Sequence, residues 1–124
     1  MRTGIVTINE KHYLVCFSTR VMLALEERGG DADQELKKIL DEHKMSSTFW
    51  LLAQMIDAGD RYAKLEGMDN PGTLSFDQLV DLVGIDEYDT MFRSVWDAIK
   101  VGGKPTVHTK VKQEKNAETT PPDA

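Results

Sequence analysis

Apolar and polar residues alternate at the start of the chain and then change to a helical period. Over residues 4–8 and 12–17 the β-branched and aromatic side chains Ile5, Val6 and Ile8, then Tyr13, Val15 and Phe17, describe two strands. Asn9-Glu10-Lys11 between them is a short polar break suited to a hairpin turn, and Asn9 tolerates the left-handed backbone such turns use. Two strands are not stable in isolation, so the pair must pack on the rest of the chain.

From Ser18 onward the pattern is helical. Ser18 or Thr19 can cap a segment running to about Arg28, with Val21, Ala24 and Leu25 on its inner face and Gly29-Gly30 as its stop. A second helix over about 32–43 aligns Ala32, Leu36, Ile39, Leu40 and His43. Ser46 or Ser47 then opens a long helix that ends near Gly67. Its apolar side carries Met45, Phe49, Leu52, Met55, Ile56, Gly59, Tyr62 and Ala63, and its polar side carries Gln54, Asp57, Asp60, Arg61 and Lys64.

Asp69-Asn70-Pro71-Gly72 is a turn signal. Ser75 and Gln78 have the spacing of a capping box and start a short helix, Phe76 to Val83, stopped by Gly84. A last helix from about Asp86 places Tyr88, Phe92, Val95 and Ile99 on its centre line and Trp96 at the edge, with Gly102-Gly103 as its end. The expected architecture is therefore α+β: an N-terminal β-hairpin packed on a bundle of about five helices, forming one domain over residues 1–103. Residues 104–124 are expected to be a flexible tail, except that 105–111 alternate weakly and suit one edge strand.

Composition narrows the function. The net charge of −6 argues against a nucleic-acid surface or an anionic membrane, since both draw affinity from clustered Lys and Arg. No run of about 18 apolar residues spans a membrane, and Met1 to Ile8 has no signal-peptide character. A lone Cys16 allows no internal disulfide and suits a reducing cytosol.

Candidate chemistry is sparse. Asp31, Asp33 and Glu35, with Glu42 at the twelfth place, suggest a calcium loop, but Leu36 stands where the loop needs glycine. An acidic first helical turn, favoured by the helix dipole, accounts for the same residues. His12, His43 and His108 lack metal-ligand spacing, and Cys16 between Val15 and Phe17 reads as a packed small hydrophobe with no basic neighbour. Asp57 and Asp60 form i,i+4 links to Arg61 and Lys64, each worth about 0.2–0.5 kcal/mol on a solvated helix. No catalytic group, metal or cofactor is expected. Trp50 is the anomaly, because it projects from the polar side beside Gln54, Asp57 and Arg61. Either the hairpin or the last helix covers it, or it anchors a partner. Leu23 poses the same question, pointing away from Val21 and Leu25. Trp50, Leu23, Gln54 and Arg61 are the expected partner-binding residues.

Tyr13-Leu14-Val15-Cys16-Phe17-Ser18-Thr19-Arg20, followed by Ala24-Leu25-Glu26-Glu27, resembles the opening of phage tail assembly chaperones. The segment Leu52 to Ala63, with Gly59-Asp60-Arg61-Tyr62 inside it, is similar to that family's mid-chain helix. The resemblance covers about residues 5–100. It implies a non-enzymatic protein of the bacterial cytoplasm, encoded by a long-tailed phage or prophage. Such a protein, working as a single chain or a homo-oligomer, binds the helical tape-measure protein and helps the tail-tube protein assemble around it. Two rival expectations are a structural tail-completion or connector protein of the virion, and a small enzyme or regulator with a pocket built on Asp57, Asp60 and Arg61.

Overall fold

Asn9 and Glu10, at φ 53° and 67°, form the two-residue turn that sets the whole sheet. Both central residues are left-handed, which matches the twist of the flanking strands. In the computed structural model, which describes residues 2–103 and the side chains of 3–100, the turn joins β1 (Arg2–Ile8) to β2 (Lys11–Phe17). The strands pair antiparallel from Ile8↔Lys11 to Arg2↔Phe17. One face of the hairpin carries Val6, Ile8, Tyr13 and Val15, all buried, while Ile5 and Thr7 on β1 face outward and are exposed. Helices follow in the order α1 (Thr19–Gly29), α2 (Ala32–Glu42), α3 (Met45–Glu66) and α4 (Phe76–Leu82), then a 3-10 turn (Ile85–Glu87) and α5 (Tyr88–Gly103). The expected α+β hairpin-on-five-helices architecture is the observed one. The tail, including the expected strand 105–111 and His108, lies outside the described residues.

Both strands and all five α-helices contribute to one apolar core, in which Val15, Leu25, Ile39, Leu52, Met55, Ile56, Leu79 and Val95 are fully or almost fully enclosed. α3 runs through its centre. Leu51 and Ala58 on one flank of the expected apolar stripe and Asp60 on the other are also buried, so the middle of α3 is covered over most of its circumference. The helix also starts earlier than the serine signal suggests. Lys44 is its N-cap, and Ser47 and Thr48 are buried inside its first turn, whereas Met45, expected in the core, is 44% exposed. Thr48 donates to the Lys44 carbonyl at 2.9 Å and accepts from the Tyr88 hydroxyl at 3.0 Å, which ties the start of α5 to the start of α3.

α3 meets the hairpin through its backbone. A Cβ at Gly59 would lie 1.9 Å from the Leu14 carbonyl oxygen and 2.9 Å from the Val15 Cα. On the neighbouring residue, Asp60, sits the polar counterpart of this contact. Asn70 accepts the Leu14 N–H on its Oδ1 at 2.9 Å and donates from Nδ2 to Asp60 Oδ1 at 3.0 Å and to the Gly72 carbonyl at 3.3 Å. This pattern fixes which way the amide points, because only its oxygen can accept from a backbone N–H. Lys64 Nζ takes the other Asp60 oxygen at 3.1 Å. The Asn70 hydrogen bond holds the Asp60 carboxyl below its ordinary value, more than offsetting the upward push of burial, and Lys64 and Arg61 act in the same downward direction.

α4 and α5 close the fold. Ser75 and Gln78 make both hydrogen bonds of the expected capping box, and the helix stops at Val83. The segment expected to open the last helix at Asp86 is the 3-10 turn, with Glu87 bonded back to the Gly84 N–H at 2.9 Å. α5 packs across β1, where the missing side chain of Gly4 makes room for Ala98. No helix among the described residues is long and apolar enough to cross a membrane.

Two outcomes test this joint. At an ordinary helical site Gly→Ala stabilises by about 0.8–1.0 kcal/mol, but Gly59→Ala should destabilise by about 3 kcal/mol or more, because the methyl meets backbone that cannot turn aside. Urea unfolding measures the sign. Asp60→Asn should cost about 1.5–3 kcal/mol at neutral pH, the worth of a hydrogen bond to a charged group. A carboxyl depressed in the folded state adds stability that is complete above the ordinary value of 3.8 and is lost as pH falls through its lowered folded value. The wild-type and Asp60→Asn stabilities should therefore converge below pH 3.8. A constant difference across that range would show that the charge contributes nothing.

Candidate functional site

The four expected partner-binding residues do not share one environment. Trp50 is half-buried. Its cover is Arg28 of α1, whose guanidinium carbon stands 4.4 Å from the indole centroid. Arg28 also donates to Ser47 Oγ at 3.1 Å and pairs with Glu35 of α2 at 3.3 Å, so one side chain clamps α1, α2 and α3 together. Glu35 is thus an interhelical partner. Asp31 caps α2 by accepting from the Gln34 N–H at 2.9 Å, which leaves the expected dipole-stabilised first turn in place of a calcium loop. Gln54 is half-buried along the same side of α3, and Leu23 on α1 is 59% exposed.

Arg61 lies at the other end of that side, on a groove of about 540 Å³ between the start of α1 and the last turns of α3. The arrangement follows from the helices running antiparallel: Arg28 at the end of α1 meets Ser47 and Trp50, while Ser18 to Arg20 at its beginning meet Ala58 to Leu65. Ala58, Tyr62 and Leu65 supply an apolar surface, with Leu65 83% exposed. Arg20, Arg61 and Lys64 surround it. Arg61 Nε holds Asp57 at 2.8 Å and Lys64 holds Asp60, as the i,i+4 spacing predicts, while Arg20 has no ion-pair partner among the described residues. Ser18 occupies the N-cap of α1 without capping it, and its buried Oγ lacks a hydrogen-bond partner among the described residues. Cations and a helix N-terminus together make this end of the groove electropositive in a chain of net charge −6.

Asp57 and Asp60 turn to different partners. Asp57 stays with Arg61, and Asp60, expected on the solvated side, is 6% exposed and turned to Asn70. Burial pushes the Cys16 thiol above its ordinary value and encloses it completely, which disfavours the reactive thiolate. Among the described residues no group of three or more His, Cys, Asp or Glu is placed to hold a metal ion.

A second surface is not apparent from the sequence. His43 ends α2 in the left-handed conformation, at φ 55°, and its ring lies tilted against Phe92 with centroids 3.7 Å apart. Leu40, His43, Phe92 and the 37% exposed Trp96 line a shallow groove between α2 and α5. The one sequence signal for it is the helical period, which places Trp96 at the edge of α5.

Arg28→Ala should uncover Trp50. In a Trp96→Phe background, which leaves one indole, its emission should shift to the red and its quenching by acrylamide should rise. Stability should fall by about 1–2 kcal/mol as the cation–π contact and the interhelical bonds are lost. An unchanged emission maximum would mean that Arg28 does not shield the indole. Comparison with protein-family models, with curated proteins and with solved structures gave no match for this chain.

Proposed function

We propose that this protein is a non-enzymatic assembly chaperone of a long-tailed phage or prophage, acting in the bacterial cytoplasm by binding the helical tape-measure protein during tail assembly. The observation that carries the reading is the α1–α3 groove, where the exposed Leu65 and the half-buried Tyr62 are framed by Arg20, Arg61 and Lys64. An amphipathic helix docks through its apolar stripe, and acidic residues beside that stripe meet the cations. Leu23, three residues from Arg20 on α1, extends the same binding face. The resemblance of residues 5–100 to tail assembly chaperones supports the choice of partner, and the acidic remainder of the surface keeps the chaperone itself soluble. The tail-tube protein and a second copy of the chain are further partners in this reading.

Co-expression with the tape-measure protein of the same phage tests it. The wild type should keep the tape measure in the soluble fraction. Leu65→Asp combined with Arg61→Glu should abolish that effect while leaving the circular dichroism spectrum and unfolding midpoint close to wild type, because both side chains are exposed. A tape measure equally soluble without the protein would overturn the reading. Recovery of the protein as a stoichiometric component of purified particles would assign it instead to a tail-completion or connector role.

A further inference from the structure

α3 lies along the outer edge of β2, where Asn70 takes the Leu14 N–H. The outer edge of β1 has no strand partner among the described residues. Because the Leu14 N–H points away from β1, Ile5↔Leu14 is a pair that exchanges no backbone hydrogen bonds. Alternation then turns the N–H and C=O groups of Thr3, Ile5 and Thr7 outward. Nothing on the strand blunts this edge. Thr3 to Ile8 holds no Lys or Pro, the pairing runs without a bulge, and Ile5 at its middle is 57% exposed. Residues 5–9 form one wall of a groove of about 410 Å³, and Leu82, Met91, Asp86 and Glu87 stand on the other.

We propose that this groove takes an extended, basic segment of a partner protein as a third strand on β1. The outward backbone groups bind such a strand through its main chain. Charge selects the kind of strand. Asp86 and Glu87 are the charged residues of the groove, and neither has an ion-pair partner among the described residues. α5 runs antiparallel to β1, with Ala98 against Gly4, so the 3-10 turn that carries both acids stands at the Ile8 end. A Lys or Arg of the incoming strand meets them there, while alternate side chains of Val or Thr meet Leu82 and Met91. Width favours a lone strand over a second copy. Thr90, Met91 and Ser94 line the same groove, so α5 overhangs the β1 edge. Two copies paired edge to edge would set their β1 strands about 4.8 Å apart, while each brings an α5 that needs about 8–10 Å from its neighbour. The site shares no residue with the α1–α3 groove.

NMR of the full chain with the end-capped peptide Lys-Thr-Val-Thr-Val-Thr-Lys tests the proposal; a basic residue at each end serves either strand direction. Up to millimolar peptide should shift the amides of Thr3, Ile5 and Thr7 and slow their hydrogen exchange. The amides of Val6 and Tyr13, which bond across the hairpin, should keep their rates. Proline at the third and fourth peptide positions removes a donor from either edge and should weaken binding about tenfold or more. Asp86→Asn with Glu87→Gln should weaken it about threefold to tenfold. The glutamine keeps an oxygen for the Gly84 N–H, so the 3-10 turn is retained. No response at the three edge amides would overturn the proposal, as would an affinity unchanged by the prolines, by Glu in place of Lys or by the double substitution. Protection of those amides in the free protein would also overturn it. The edge would then belong to the chain itself if protection were independent of protein concentration, and to a second copy if protection rose with it.

Discussion

A helix can lie backbone to backbone against a strand only where it has no Cβ, and Gly59 is where α3 does so. The approach is close enough that a methyl group would overlap the Leu14 carbonyl. Its consequence is polar. A helix set against a strand cannot satisfy that strand's outward N–H groups, and a buried unpaired donor costs about 1–3 kcal/mol. Asn70 meets the requirement at Leu14, and Asp60 holds Asn70 in place. Because Gly59 and Asp60 are neighbours, one turn of α3 sets both the steric and the polar half of the joint. The hairpin, which has no stability of its own, is held to the helices there.

α1 and α5 are each tied to the N-terminal end of α3 by a polar residue. Arg28 reaches Trp50, Ser47 and Glu35 from α1, and Tyr88 reaches Thr48 from α5. The centre of α3 is thus fixed by packing and its first turns by hydrogen bonds. Its last turns, from Arg61 to Leu65, are less enclosed, and they carry the cationic groove. Rigid support at one end and an open surface at the other is the arrangement expected of a helix that both organises a core and presents a binding face.

Features settled by near neighbours were legible in the sequence. The Ser75–Gln78 box, the hairpin turn and the Asp57–Arg61 and Asp60–Lys64 links each involve residues within four positions, and all formed. Features settled at a distance were not. Asp60 reads as solvated because the 3.6-residue period places it among the polar positions, and its burial depends on Asn70, in the loop beyond the helix, together with Lys64. Trp50 reads as an orphan for the same reason, since its cover comes from the far end of α1. The serines at 46 and 47 mislead differently: they are good caps locally, yet Ser47 is drawn inside to meet Arg28. Of the four expected partner-binding residues, Arg61 lines the α1–α3 groove, Leu23 shares a side of α1 with Arg20, and Trp50 has a packing role that no local pattern reveals.

The ion pairs on α3 bear on whether that groove can take an acidic partner. Arg61 and Lys64 are already paired, and on a simple count only Arg20 is left for recognition. But an exposed i,i+4 pair is worth at most about 1 kcal/mol, and the Arg61 and Asp57 side chains are 56% and 42% exposed, whereas Lys64 is paired to a carboxylate that is 8% exposed. Releasing Lys64 leaves Asp60 with Asn70, so the buried carboxylate keeps a hydrogen-bond partner. Releasing Arg61 leaves Asp57 in contact with water. Arg61 can therefore turn to a new carboxylate at small cost, and the joint at Gly59 need not move when it does.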